Sequence, residues 1–273
     1  MGTSAGAYFY FRPDESSQAT PASPKKGEQM PSTCNCKSSS AINVPSFDSI
    51  AYEYDSKVYF EELSMGLPLL RRYLLSHARG NVCEMACGTG GNLRYYNFGE
   101  GKVGKVLMTD SSEKMLHSTA KKINDTAIID PVNKGKVRLI AADIAKIRNS
   151  ENVFPPNQFD TVVDTFGLCS YNDPKEALKT MLHLLKNDGE LLMLEHGSST
   201  YFIDVIKDYI NGVLERGLDR HIAGWGGCVW NRKIELILQE AGISEDDFYI
   251  SITKWHFGTT YYIRVKRKTT TDR

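Results

Sequence analysis

The chain carries no surplus of either charge. Lys+Arg 33 is matched by Asp+Glu 33 over 273 residues, so no global field recruits a polyanion and non-specific nucleic-acid binding is not expected. No apolar run reaches the roughly 18 to 20 residues that span a bilayer; "ELLMLEH" is strand-sized. Zinc-type spacing is missing as well: Cys34 and Cys36 have no companion ligand pair, the histidines show no ligand periodicity, and no metal is expected. With no secretory signal peptide, the six cysteines read as reduced thiols. The start "MGTSAG" has Gly6 where a myristoylation signal wants Ser or Thr. Only Arg12, Lys25 and Lys26 are basic in the first thirty residues, too few for an Arg-rich presequence. A cytoplasmic address is the expectation, with a mitochondrial one as the alternative.

Recognisable order begins after a tail. Residues 1–45 are rich in Ser, Pro, Thr and Gly without period and bury too little to offset ordering entropy, so they are expected to be disordered. Residues 46–273 read as one domain. Its first part, 46–80, is a helical cap of two helices broken at Gly66 and Pro68. Strands and helices then alternate. "NVCEMA", "KVLMTD", "VRLIAAD", "FDTVVDTFG" and "ELLMLEHG" are strands. "GNLRYYNF" starts a helix, "SSEKMLHSTAKKI" is a helix capped by Ser111 or Ser112, and "DPKEALKTMLHLLKNDG" is one that runs from Pro174 to Gly189. The alternation predicts an α/β fold, a doubly wound parallel sheet with helices on both faces. After the helix "RKIELILQEAGI", two strands lie only a few residues apart around Gly258, which forces an antiparallel hairpin.

The stretch "NVCEMACGTGGNL" places Gly88, Gly90 and Gly91 between a strand and the start of the next segment. Such a cluster makes a tight turn and lets a ligand approach the main chain, although a turn alone could need it. Acids surround it. Glu84 lies in the first strand, Asp110 ends the second and Asp143 the third, all at the carboxyl edge where open α/β sheets bind ligands. An acid ending the second strand suits ribose hydroxyls; Asp110 could equally cap the helix after it.

"EMACGTGGN", "YEYDSKVYFEE", "FDTVVDTFGLCSYNDP", "LKNDGELLMLEHG" and "WGGCVWNRKIELILQEAGI" together resemble the class I S-adenosylmethionine-dependent methyltransferases over about Ser46 to Lys268. They are most similar to the UbiE-type ubiquinone and menaquinone branch, and closer still to methyltransferase-like proteins of fungal mitochondria and of animal thiol methylation. The resemblance implies a Rossmann-like seven-stranded sheet and S-adenosyl-L-methionine as cofactor. It implies that Glu84 orients the cofactor's amino group through the loop, that Gly88 and Gly90 lie against the methionine portion, and that Asp110 takes the ribose hydroxyls. Ser111 and Met115 would flank the adenine, Asp143 and Ile144 would bind it, and Thr165 would meet the methionine end. Tyr54 and Asp55 match the "YD" of a helix that closes over the cofactor; Tyr54 as a core aromatic is the alternative. Ala86 stands in the cofactor turn where many members have glycine.

Methyl transfer from a sulfonium is an in-line displacement that needs orientation more than a catalytic group. Should the acceptor need a base, Glu195, His196, Tyr171 and Asp173 lie near the methyl by topology, and His196 is preferred for its near-neutral imidazole. Packing or strand capping is its alternative role. "HIAGWGGCVWNRKI", with Trp225, Cys228, Trp230 and Arg232, is either part of an acceptor pocket or a tryptophan-filled core edge. Between Asp164 and Lys175 there is no glutamate, which removes the paired-acid loop of protein arginine methyltransferases. The expected acceptor is a small molecule, lipid or quinone, or thiol. A catalytically idle fold serving as a scaffold is the rival, motivated by Ala86 and the lack of an identifiable base.

Overall fold

The computed structural model describes residues 46–268. The tail at 1–45, with Cys34 and Cys36, lies outside the described residues. Seven strands form one sheet in the order β3-β2-β1-β4-β5-β7-β6: β1 (Gly80–Met85), β2 (Val103–Asp110), β3 (Val137–Ala141), β4 (Phe159–Thr165), β5 (Leu185–His196), β6 (Phe248–Trp255) and β7 (Thr260–Arg267). The first five are parallel, and the terminal hairpin inserts β7 antiparallel between β5 and β6. The strand order reverses between β1 and β4, and it is at this switch point that neighbouring loops diverge and leave a crevice.

Alternation within the strands builds the two faces. In β1, Val82 packs on one side with Leu74, Met108 and Leu116, while Cys83 and Met85 pack on the other with Leu178, Met181 and Ile234. The helices α3 (Leu67–Leu75) and α4 (Glu113–Asn124) cover the first face; α5 (Ile144–Ile147), α6 (Pro174–Leu184) and α8 (Ile234–Glu240) cover the second. Ahead of them, α1 (Phe47–Ile50) and α2 (Tyr54–Ser64) lie over the carboxyl end of the sheet. The cap is thus three helices rather than two, with α1 split from α2 by a turn at 51–53.

Three local expectations are corrected. The segment after the glycine turn forms only a 3-10 turn, Leu93–Tyr95, because Tyr96 swings into extended backbone and points its hydroxyl at the buried Glu84 Oε2, 2.7 Å away. Helix α6 stops at Leu184, and the chain enters β5 at once. Residues 186–189 bulge there: Phe159 pairs with Leu185, yet Thr161 pairs with Glu190. Gly189 sits inside the bulge because a Cβ would meet Leu185 Cδ1 at 2.8 Å and the Asp160 carbonyl at 3.1 Å. Finally, 21 residues whose pattern indicates no element form α7 (Asp204–Gly224), a helix with no buried residue; it lacks the apolar stripe that marks helices packed on a sheet.

Three positions in the turn after β1 have left-handed backbone: Ala86, Gly88 and Gly90. Gly90 has φ 78°, and a Cβ there would lie 2.9 Å from Leu93 Cδ1 and Thr119 Cγ2. Ala86 has φ 43°, a conformation that costs a residue with a Cβ about 1 to 2 kcal/mol. Gly90→Ala is therefore expected to lower unfolding stability by about 1 to 2 kcal/mol or more. Ala86→Gly is expected to be neutral or stabilising by under about 1 kcal/mol, relief of strain being partly offset by the freer unfolded chain. Denaturant titration checks both, and a loss of more than about 1 kcal/mol in Ala86→Gly would contradict the strain assignment.

Candidate active site

The ends of β1, β2, β3 and β4 enclose a cavity of about 410 Å³ at the switch point. Its wall is built around Asp110, whose carboxylate joins two elements: Oδ2 accepts from Gly88 N at 2.8 Å and Oδ1 from Ser112 N at 2.8 Å. The glycine turn is thereby held to the first turn of α4. Asp110 does not cap α4 itself; Ser112 does, accepting from Met115 N at 3.1 Å. Burial, the dominant influence, raises the Asp110 pKa, against the lowering effect of its amide donors. Each carboxylate oxygen keeps a second lone pair for a ligand hydroxyl.

Asp143 caps α5 by accepting from Ala145 N at 3.0 Å, and it stands on the cavity wall beside Ile144. Ser111 and Met115 complete this end. Gly88 presents bare backbone, since nothing lies within 4 Å of where its Cβ would be. Ala86, Tyr54 and Thr165 also line the cavity. One residue expected against the ligand, Gly90, does not. Gly90 turns inward onto Leu93 and Thr119, and Gly91 takes its place on the wall. Glu84 is buried under the turn, where Oε1 accepts from Asn92 Nδ2 at 2.9 Å and Oε2 from the Tyr96 hydroxyl; burial lifts its pKa to about 7.

The cap is tied down by ionic contacts. Asp55 of α2 accepts from Thr89 Oγ1 at 2.6 Å and pairs with Lys122 of α4 at 2.6 Å, and Asp48 of α1 accepts from the Ser112 hydroxyl. Tyr54 meets Trp225 edge-on, with ring centres 6.2 Å apart, and desolvation pushes its phenol pKa up. The lid therefore rests on both the glycine turn and the loop after α7.

Beyond β4 and β5 lie the proton-handling groups. His196 is outside the cavity lining: its ring stacks on Phe166 at 4.3 Å, and Phe166 faces the cavity. Burial above all, with help from His221 and Arg71, lowers its pKa to about 4, so the imidazole is neutral at pH 7. Tyr171 lines the cavity and donates to Asp164 Oδ1 at 3.0 Å. Asp164 and Glu195 are wholly buried, and desolvation raises both carboxyl pKa values; Asp164 Oδ2 and both Glu195 oxygens find no hydrogen-bond partner among the described residues. Asp173 lines the cavity too, while capping α6.

Of the segment 221–234, Gly226 is on the cavity wall, while Trp225, Cys228, Trp230 and Arg232 are not. Gly226 packs against the Phe47 ring, which leaves no room for a side chain. Trp230 stacks on His221 at 3.9 Å and donates to Leu214 O at 3.0 Å, which anchors α7. Arg232 donates to Tyr171 O at 2.8 Å and so fixes the loop after β4. Glu62, Arg71 and Phe166, none of them singled out by sequence pattern, all line the cavity. Arg71 had a signal: in "LPLLRRYLL" it shares a helical face with Leu67, Leu74 and Leu75, and that face is buried.

A larger, more open groove of about 820 Å³, bordered by Arg72, Tyr95, Lys102 and Asp130, lies toward the amino ends of β2 and β3. It gathers none of the strand-terminal acids. The switch-point cavity fits an adenosine-type ligand better, with carboxylates and apolar walls at one end and open main chain in the middle.

The same fold occurs in known proteins. It is that of an O-methyltransferase family protein from Burkholderia thailandensis (TM-score 0.57, 15% identity, 81% of this chain and 60% of that one). It is also that of a DhpI–SAH complex (TM-score 0.53, 17% identity, 81% and 93%). In sequence the chain is 32% identical over 223 residues to "Methyltransferase OMS1, mitochondrial" of Saccharomyces cerevisiae, covering 80% of this chain and 45% of that protein. It is 34% identical over 154 residues to the ubiquinone/menaquinone biosynthesis C-methyltransferase UbiE of Azotobacter vinelandii, covering 55% and 56%. The chain thus spans about half the length of the curated relatives it matches. The model of the ubiE/COQ5 methyltransferase family matches residues 37–213, and with well over half its length accounted for, the chain belongs to that family.

Proposed function

We propose that the protein transfers a methyl group from S-adenosyl-L-methionine to a small-molecule, lipid or quinone, or thiol acceptor. The observation that carries this reading is Asp110, buried at the switch point and clamped between Gly88 N and Ser112 N with lone pairs left toward the cavity. When bound, the cofactor supplies an electrophilic methyl on a sulfonium. Asp110 would hold the ribose hydroxyls, while Met115, Ile144, Ser111 and Asp143 would wall the adenine. Gly88 and Ala86 would offer main chain to the middle of the ligand, and Thr165 would meet its methionine end. Tyr54, Phe166 and Gly226 border the side from which an acceptor would approach, and the α1–α2 cap would exclude water. Holding donor and acceptor in line can lower the barrier by about 7 to 11 kcal/mol without a dedicated base.

His196 fits this mechanism as a neutral wall behind Phe166 rather than as the group that sets the rate. The carboxyl pair Asp164–Glu195, reached through the Tyr171 hydroxyl, is the better-placed proton acceptor for an acidic substrate. The apolar and aromatic border suits an uncharged organic acceptor. The idle-scaffold reading has no observation in its favour, since the turn accommodates Ala86 and the cavity is intact. The yeast relative's name carries the word mitochondrial, which supports a mitochondrial address over a cytoplasmic one. Among the described residues, no helix is long and apolar enough to cross a membrane.

Calorimetry with S-adenosylhomocysteine tests the cofactor assignment: saturable binding is expected, and its absence in a folded sample would sink the reading. Asp110→Ala is expected to weaken that binding at least tenfold, about 1.4 kcal/mol for lost charge-assisted hydrogen bonds; unchanged affinity would remove Asp110 from the site. Once a labelled methyl donor has identified an acceptor, the rate between pH 5.5 and 8 should show no inflection abolished by His196→Gln. The imidazole pKa of about 4 leaves it unprotonated throughout that window. An inflection near pH 6.5 that disappears in the variant would instead make His196 the base.

A further inference from the structure

Helix α7 is fastened to the domain along one side only. There Asn211 accepts from Ser199 N at 2.7 Å and donates to Ser199 O at 3.0 Å, and Trp230 Nε1 donates to Leu214 O. Ile210, Leu214 and Leu218 are half-buried on that side. The opposite side is apolar as well. Val205, Tyr209 and Val213, four residues apart and so one above another, are 80%, 70% and 44% exposed, and Phe202 just ahead of them is 80% exposed. The Phe202 ring meets Tyr201 at 4.5 Å, and Tyr201 meets the exposed Phe257 of the β6–β7 turn at 5.5 Å. Exposed apolar groups that adjoin one another in this way mark a docking surface, whereas scattered ones do not.

The charges beside this surface are ordered. Arg216 and Arg220 prolong the outward line, three and then four residues on, and both are exposed. Asp204, Asp208, Glu215 and Asp219 fall along one flank, with Lys207 on Asp204 and Asn231 on Glu215. That acidic row repels an anionic bilayer, and in an antiparallel two-fold pair of helices it would face itself. The surface therefore suits an occupant that brings aromatic groups, then a cation for the flank, then carboxylates level with the two arginines.

Residues 1–45, outside the described residues, contain one such sequence. Their only aromatic residues are Tyr8, Phe9, Tyr10 and Phe11, and in "AYFYFRPDE" these are followed by Arg12, Asp14 and Glu15. The spacing agrees. An extended chain covers about 15 Å from Tyr10 to Asp14 and Glu15, and α7 rises about 14 Å from Tyr209 to the level midway between Arg216 and Arg220. Direction agrees too. In that register the segment leaves toward the carboxyl end of α7, where the fold resumes: the Phe47 ring lies against Gly226, two residues past that end. The intervening residues 16–45 reach up to about 100 Å, well beyond the ~30 Å length of α7.

We infer that residues 7–15 dock along the outward side of α7, with Tyr8–Phe11 on Val205, Tyr209 and Val213, and with Asp14 and Glu15 on Arg216 and Arg220. Arg12 then lies beside the acidic flank. The docked segment braces the helix that leads into Trp225, against which Tyr54 of the lid rests.

Photo-crosslinking of the full chain tests this. With Phe9→p-benzoylphenylalanine, irradiation is expected to join position 9 to residues 202–213 within one molecule. Val205→Asp with Tyr209→Asp, both at exposed positions, is expected to lower that yield at least fivefold without moving the melting temperature. Arg216→Glu with Arg220→Glu is expected to lower it at least threefold, and adding Asp14→Lys with Glu15→Lys to restore it to within twofold. Crosslinks to other elements only, no crosslink, a yield indifferent to the two aspartates, or a charge reversal without effect or without rescue would overturn the inference. Crosslinks between chains, read from a mixture of isotopically labelled and unlabelled protein, would assign the face to a second copy. Loss of the crosslink on phosphatidylglycerol vesicles that sediment with the chain would assign it to a lipid surface. Either of these outcomes would overturn the inference as well.

Discussion

The site depends on one buried amide. Asn92 donates from Nδ2 to Glu84 Oε1 and Thr165 Oγ1, and its Oδ1 accepts from Arg71. It thereby joins β1, β4, α3 and the glycine turn in a region where an unmade hydrogen bond is costly. Glu84 is held under the turn by that amide and by Tyr96, so the turn cannot drift relative to the strand that feeds it. Thr165 is oriented at the end of β4, and Arg71 is held on the cavity wall. Removing the amide would leave several buried polar groups to find other partners at once.

A second layer of hydrogen bonds moves outward from this hub. Asp110 locks the glycine turn to α4, and Thr119 of α4 returns a bond to Gly88 O at 2.8 Å. Asp55 and Asp48 then anchor the cap to the same turn and helix. Backbone strain gathers where these layers meet the cavity: Ala86 and Phe166 are both left-handed without being glycine. Strain of this kind persists only where the surroundings over-determine the conformation. Here the surroundings are the two loops that border the ligand space.

Much of this was legible in the sequence because it depends on local order. Asp110 closes a strand whose apolar run is unambiguous, Asp143 follows another by two residues as the cap of α5, and short separation dictated the hairpin. The parts that escaped depend on tertiary placement. Whether Gly90 or Gly91 faces a ligand follows from φ angles and from Leu93 and Thr119, which no spacing rule contains. Helix α6 passes into β5 within an apolar stretch where neither period is decisive, and Gly189 marked a bulge instead of a helix end. Helix α7 buries nothing, so it left no stripe to read. His196 sits at the predicted strand end, but its low basicity comes from burial behind Phe166, a long-range effect. Arg71 was visible only as a charge on an apolar face.

Central to the proposed mechanism is the direction in which the cavity is used, nucleoside at the β2 and β3 ends and methionine end at Thr165. An experimental structure of the full chain with S-adenosylhomocysteine tests it most directly. The expected result is ribose hydroxyls on Asp110, adenine between Met115 and Ile144, and the methionine end beside Thr165. A ligand bound in the reverse direction, or in the groove bordered by Arg72 and Lys102, would contradict it.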